Sequence, residues 1–396
     1  ILLYYKWVSK KNFLTLLISV FLSIFVGYFL FFLKTHFEHH DKDPYLFKSI
    51  DVMKFNKNYT KKLHHLRIAN KDLGIKSKPE NYLFSTVNEF STNTNNILLQ
   101  GDSWIQQLDG IFPLGVYGGT KSYNTINKFV KKNNFGLINA GVSTFSPSLM
   151  QLQYEILEKD FNIKPNIVVA YIDQTDIGDE LCRYKNNRVY NKNNILIAIK
   201  NKNYSRAVFG FTKINNISEI VLLNNSQFKR TFKLTNFFIK YGFLRAINKY
   251  KSIKKFGWKN RDTFKCRFPE IRKYLIGSNN NEISYFEDRV KDYINLLTNK
   301  EYIEKIILVT FPHHDHLFGY INEKNEKKYY TTNVSNIIEN IVKNEKKIYH
   351  LNFSKLILNK KIDLKSDAFK ENDPGSHLKE EYHATIFTQE IINLLK

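Results

Sequence analysis

The chain has 396 residues, 43% of them apolar, which is enough to bury one large core or two modest ones and too much for wholesale disorder. Lys and Arg outnumber Asp and Glu 60 to 37, a formal charge of +23. That charge points either to an anionic partner (a lipid surface or an acidic glycan) or to a Lys- and Asn-rich compositional bias. No basic-aromatic nucleic-acid motif accompanies it, so no nucleic-acid partner is expected. Cys182 and Cys266 have no metal-ligand spacing. Two readings stay open for them: a disulfide, if the domain lies in an oxidising compartment, or two separate thiols.

Residues 1–12 form a basic flank containing Lys6, Lys10 and Lys11. Phe13–Leu33 follows, an uncharged run of about 21 residues, the length that crosses a bilayer core. The run is long for a signal-peptide core and no small-residue cleavage site follows it, which favours an uncleaved anchor. The basic flank is expected to stay cytoplasmic and to send the remaining chain outward. The sequence begins at Ile1 rather than Met, so further spans upstream stay open.

Residues 34–94 read as a polar lead-in, irregular with some helix. From residue 95 to 396 the pattern alternates. Strands are predicted at Asn96–Gln100, Phe135–Ala140, Asn166–Ile172, Lys305–Phe311 and Lys347–Asn352, short apolar runs rich in β-branched residues. Helices are predicted at Ser122–Lys132, Pro147–Lys159, Tyr285–Asn299, Val334–Asn344 and Leu378–Leu395. Such alternation predicts a three-layer α/β domain around a parallel sheet. An insertion at about 185–265 breaks the rhythm. It carries about 19 basic and about 2 acidic residues together with Phe209, Phe211, Phe237 and Tyr241, so it reads as a folded basic element beside the core.

Chemistry concentrates after the predicted strands. Gly101-Asp102-Ser103-Trp104 follows the first, at a turn that can lift a hydroxyl to the carboxyl edge of a sheet. Asn139-Ala140-Gly141-Val142-Ser143 ends the second, Asp173-Gln174-Thr175-Asp176 follows the third, and Asp373-Pro374-Gly375-Ser376-His377 precedes the last helix. A serine hydroxyl needs a base to attack an acyl carbonyl, and a carboxylate orients an imidazole for that task. This order of blocks resembles the SGNH (GDSL-like) hydrolase and acyltransferase superfamily over roughly residues 95–396, the insertion apart.

The resemblance implies a flavodoxin-like α/β/α fold, preceded here by one transmembrane helix. It implies Ser103 as nucleophile, His377 as general base and Asp373 as orienting acid, with the Ser103 and Gly141 N–H groups in the oxyanion hole. The sequence departs from the family at two points. Thr175 stands where the third block usually has Asn, with Gln174 one position away, so either is the expected substitute donor. The family's Asp usually lies three residues before the His, whereas Asp373 lies four before, leaving triad or dyad open.

Asp102, Trp104 and Asp176 are further candidates to line the substrate. Phe311-Pro312-His313-His314-Asp315-His316 follows the fourth strand. His313, His314 and His316 are neighbours in an extended loop and rarely converge on one ion, so an ordinary polar loop or a substrate-lining one is expected ahead of a metal site. His383 reads as packing. No metal and no cofactor is expected. The function expected is a membrane-anchored, outward-facing serine esterase or O-acyltransferase. It would sit single-pass in the inner (cytoplasmic) membrane and act on acyl esters of envelope carbohydrate, with anionic glycan or lipid as partner. The alternative is a catalytically degenerate glycan-binding or scaffold domain of an envelope export complex.

Overall fold

The computed structural model describes residues 10–40, 53–54, 63, 83–86, 96–108, 120–200, 266, 268–343, 345–371, 373 and 375–396. Residues 201–265, most of the basic insertion, lie outside the described residues.

Helix α1 (Lys10–His40) runs unbroken for 31 residues. Among the described residues no helix is long and apolar enough to cross a membrane. The side chains described within α1 are those of 15–31 and Leu33, a shorter stretch than the uncharged run Phe13–Leu33.

The core is a five-stranded all-parallel sheet with helices on both faces. Its strands are β3 (Asn96–Gly101), β4 (Gly136–Gly141), β5 (Ile167–Tyr171), β6 (Lys305–Thr310) and β7 (Ile348–Asn352), paired in the order β4-β3-β5-β6-β7. The lead-in extends the sheet instead of remaining irregular: β2 (Phe84–Thr86) pairs antiparallel with β4, and β1 (Met53–Lys54) pairs with β2. The parallel order, 2-1-3-4-5, reverses direction between β3 and β5, and ligands of such doubly wound sheets bind outside the carboxyl ends of the strands at that switch.

Period-two alternation sorts the strand residues between the two layers. Leu98, Ile138, Val168, Ile306 and Leu308 face α4 (Pro147–Phe161), α6 (Asn280–Thr298) and α7 (Val334–Val342). Their neighbours Ile97, Leu137, Val169, Ile307 and Val309 face α3 (Thr120–Lys132), α8 (Phe353–Leu358) and the C-terminal helix. Burial on both sides explains why the inner strands read as largely apolar runs, whereas edge strand β7 exposes Tyr349. Each large aliphatic side chain fully buried this way contributes roughly 1.5–3 kcal/mol.

One polar network crosses the first layer. Gln100 Nε2 donates to Met150 O and Gln153 Oε1, Gln153 Nε2 donates to Leu83 O and Ala140 O, and Tyr293 OH donates to Gln100 Oε1, all at 2.8–3.0 Å. Each pairing offsets the cost of burying an amide and fixes α4 and α6 beneath the end of β3.

Helix α5 (Phe268–Ile276) was not anticipated, and Asn279 starts α6 five residues earlier than predicted through a capping box with Glu282. The C-terminal helix begins at Glu380, passes through a π-helical turn at His383–Thr388 and continues as α9 (Gln389–Leu395). Cys182 and Cys266 form a disulfide across 84 positions, so the chain between them is a closed loop.

Candidate active site

Gly101 ends β3, and the chain turns at once into α2 (Ser103–Gln106). Asp102 caps that helix, its Oδ1 accepting from the Trp104 N–H at 2.9 Å. Ser103 is therefore the first helical residue, held at the carboxyl end of the central strand. Asn139 clamps the assembly from β4: its Nδ2 donates to Ile105 O at 3.0 Å and its Oδ1 accepts from the Gly141 N–H at 2.8 Å.

From the other end of the chain comes the turn before the C-terminal helix. Phe369 and Leu378 bridge its base, and Lys370 N donates to His377 O at 2.9 Å. At its tip Asp373 accepts from the Gly375 and His377 backbone amides at 3.1 and 2.9 Å. The turn brings His377 Nε2 to 2.6 Å from Ser103 Oγ and His377 Nδ1 to 2.5 Å from Asp373 Oδ2.

A carboxylate only accepts, so Asp373 fixes the ring proton on Nδ1 and leaves Nε2 to accept the Ser103 proton. Burial works against ionising Asp373, but the His377 ring and the backbone amides outweigh it and hold the carboxyl at about 2. Ser103 and His377 are 7% and 4% exposed, a water-poor setting in which hydrogen bonds gain strength. The sequence candidates Ser103, His377 and Asp373 thus meet as one hydrogen-bonded chain, with the triad closed.

The other candidates are placed differently from their expected roles. The Gly141 N–H points to Asn139 Oδ1. A side chain at 141 would stand 2.5 Å from Gln106 N and 2.8 Å from Ile105 C, so this glycine serves the close approach of α2 to β4. Thr175 donates through both its amide and its hydroxyl to Asp173 Oδ2. The Gln174 amide donates to Phe311 O and Ser335 Oγ and accepts from Val334 N, tying β6 to the start of α7. Of the expected oxyanion donors, three are engaged within the protein. The fourth, the Ser103 N–H, heads α2, where a helix's first amides have no intrahelical carbonyl.

Trp104 belongs to the core: its ring stacks on Tyr171 at 5.4 Å and on His377 at 5.8 Å, and it packs against Phe311 and Phe387. It backs the base instead of lining a substrate. Asp102 and Asp176 are buried among Asp173 and Asp179. Burial first, then the charge of Asp173, pushes both carboxyls well above the ordinary range. Asp176 Oδ2 accepts from Asp173 N at 3.0 Å and so shapes its own loop.

The histidine loop diverges. His313 meets the Ser376 hydroxyl, His314 bonds Asp315 and Ser366, and His316 reaches Thr332 O. Among the described residues no cluster is arranged to hold a metal ion. His383 packs in the core as expected, its Nδ1 2.8 Å from Ser122 Oγ, and burial lowers it to about 3.

Two backbone features carry no signal in the sequence. Thr144, in the loop after β4, adopts φ 69, a region β-branched residues rarely enter. Ser376, within the turn between Asp373 and His377, sits at φ 49. Comparison of the chain with protein-family models finds no match, and comparison with curated proteins finds none either.

Proposed function

We propose that this chain is a membrane-anchored serine esterase or O-acyltransferase of the SGNH type, with Ser103, His377 and Asp373 as its triad. The observation that carries the reading is the unbroken Ser103–His377–Asp373 hydrogen-bond chain at the carboxyl end of a parallel sheet. The 2-1-3-4-5 strand order is that of flavodoxin-like domains and agrees with the fold the resemblance implies.

In the proposed reaction Ser103 Oγ forms a bond to the acyl carbonyl carbon as its proton passes to His377 Nε2. Collapse of the tetrahedral adduct breaks the ester C–O bond, and the departing alcohol takes that proton. Water or a sugar hydroxyl then attacks the acyl-enzyme, gives its proton to His377 and releases Ser103. Envelope carbohydrate is the substrate class the resemblance implies.

The outward-facing location rests on three observations. The uncharged run Phe13–Leu33 lies within one continuous helix, behind a basic flank. Leu16, Leu17, Ile18, Val20, Phe21 and Ile24 are exposed around that run, which carries no charged face for water. The Cys182–Cys266 disulfide suits an oxidising compartment.

The second reading, a degenerate glycan-binding or scaffold domain, is favoured by one observation: the Gly141, Gln174 and Thr175 donors are all engaged elsewhere. A single experiment separates the two. The full chain in mild detergent is treated with a fluorophosphonate probe and with p-nitrophenyl acetate, and intact mass is read against Ser103→Ala. Heat-sensitive labelling and an acetyl adduct that vanish in the variant support catalysis. Equal labelling of both proteins, or none in the folded wild type, supports the binding reading.

A further inference from the structure

The turn that carries the base is met by a residue 63 positions earlier in the chain. Ser376 sits between Asp373 and His377, and its hydroxyl lies 2.8 and 2.9 Å from the Nδ1 and Nε2 atoms of His313. His313 stands just beyond the carboxyl end of β6, buried at 6% exposure. Its ring lies between Phe268, stacked at 15° and 6.1 Å, and Tyr330 at 5.1 Å. The Asp315 amide donates to Nδ1 at 3.4 Å; on that basis the ring proton is assigned to Nε2, with Ser376 Oγ 2.9 Å away as its acceptor.

The local bonds of the turn do not fix where it sits. Ser376 N to Asp373 O, Gly375 N to Asp373 Oδ1 and His377 N to Asp373 Oδ2 all lie within residues 373–377. They shape the loop without tying it to the sheet. Besides the His377–Ser103 contact itself, the Ser376 hydroxyl reaches His313 in the loop after β6, two strands from the nucleophile's β3 in the sheet order. Ser376 also holds φ 49, a conformation unfavourable for a residue with a side chain and retained where the surroundings over-determine it. A buried, ring-clamped histidine bonded to the strained residue next to the base is such a surrounding.

We propose that His313 is a positioning residue: through Ser376 it sets the height of His377 over Ser103. The proposal rests on reading Ser103, His377 and Asp373 as a catalytic triad. His313 touches no reacting atom, and its effect is geometric. A displacement of the base by about 1 Å costs on the order of 10²-fold in rate.

The test uses the full chain in mild detergent, with p-nitrophenyl acetate as probe and Ser103→Ala as background. His313→Phe keeps the ring and its stacking but removes the donor. His313→Gln returns an N–H near the position of Nε2. Ser376→Ala removes the acceptor and needs no repacking, so it decides the question if His313→Phe fails to fold. His313→Phe and Ser376→Ala are each expected to lower kcat by about 10²-fold with KM unchanged. Combining them should lower it no further, because both break one link. His313→Gln should recover most of the loss.

A second readout does not need turnover. The His377 Nδ1 proton, in the 2.5 Å bond to Asp373, is expected to give a low-field NMR signal. It should shift or broaden in His313→Phe and Ser376→Ala and return in His313→Gln. Wild-type kcat and an unchanged signal in both loss variants overturn the proposal while leaving the triad intact. If the wild type shows no Ser103-dependent turnover, the catalytic reading falls and the NMR signal alone decides whether His313 positions the turn.

Discussion

Asp373 lies four residues before His377, and its carboxylate still meets both the ring and the backbone amide of that histidine through a single oxygen. The turn absorbs the extra residue at Ser376, whose left-handed backbone lets the chain double back, while Gly375 N–H takes the second carboxylate oxygen at 3.1 Å. The carboxylate is thus held from three directions, and its proton affinity drops to about 2 because each of those donors favours the charged form.

The first expectation concerns that carboxylate. Asp373→Asn replaces one of the two acceptor oxygens by an NH2 group, so it can no longer both hold the Gly375 and His377 amides and fix the tautomer of His377. Loss of kcat on the order of 10⁴-fold is expected, as for the equivalent change in serine proteases. His377→Ala should be at least as severe. A Ser–His dyad would respond differently, with only a small effect of Asp373→Asn, so kcat for the two variants on p-nitrophenyl acetate separates the alternatives.

A second expectation is that the fold is most stable in mild acid. Burial drives Asp179 up to about 7 despite its ion pair with Arg183 at 2.8 Å, and Asp102 and Asp176 are raised in the same cluster. An acid raised in the fold contributes most when protonated, below its unfolded value near 4, and costs stability as pH climbs through its folded value. For Asp179 the window runs from about 4 to about 7, and the cost at its end is about 4 kcal/mol. Asp373 works in the opposite sense: its contribution is present above about pH 4 and is lost as pH falls through about 2. Thermal unfolding should give a Tm higher at pH 5 than at pH 8. Asp179→Asn should flatten the decline in part. A Tm that rises from pH 5 to pH 8 would show that these acids ionise in the fold at no cost.

Much of the fold was legible in the sequence because the sheet is buried on both faces. The five predicted parallel strands lie within two residues of β3 to β7 at either end, since apolar residues dominate them despite Gln100, Asn139 and His350. Local signals were weaker. The Asn279–Glu282 capping box was present in the sequence, yet the apolar pattern only becomes regular near Tyr285. The two-residue and three-residue strands β1 and β2 are too short to show alternation. At the site, block order located Ser103, His377 and Asp373, because each stands at a strand end or a helix start. It could not show whether a polar group faces a substrate or a neighbour. Gly141, Thr175 and Gln174 have the right chemistry for donors, and each donates to a partner brought near by the fold. The Asn139 acceptor of Gly141 was in plain view two residues away, but only the geometry of β4 against α2 turns it inward.

The disulfide supplies a third expectation. It closes a loop of 84 positions and anchors the approach to α5, where Arg183 Nε also donates to Cys266 O at 3.1 Å. Restricting so long a loop in the unfolded chain is worth about 4 kcal/mol in the chain-entropy model. A Cys182→Ser and Cys266→Ser double variant should show an unfolding free energy lower by about that amount in urea titrations. Phe268, two residues beyond Cys266, stacks on His313, so kcat should fall alongside stability. Loss of stability with kcat fully retained would place the disulfide's role outside the site.

The last expectation tests Gly141 as a packing residue. An added Cβ at this position would stand 2.5 Å from Gln106 N and 2.8 Å from Ile105 C, both backbone atoms of the helix that presents Ser103. Side-chain rotation cannot relieve a clash with backbone, so α2 must shift away from β4. The Asn139 bond to Ile105 O, which crosses to α2, would then lengthen. Overpacking of this kind costs about 3 kcal/mol. Gly141→Ala is therefore expected to lower stability by about that amount in urea titrations and to slow fluorophosphonate labelling of Ser103 in the fraction that remains folded. If the glycine acted as an oxyanion donor alone, alanine would keep the N–H, and both stability and labelling would stay at wild-type values.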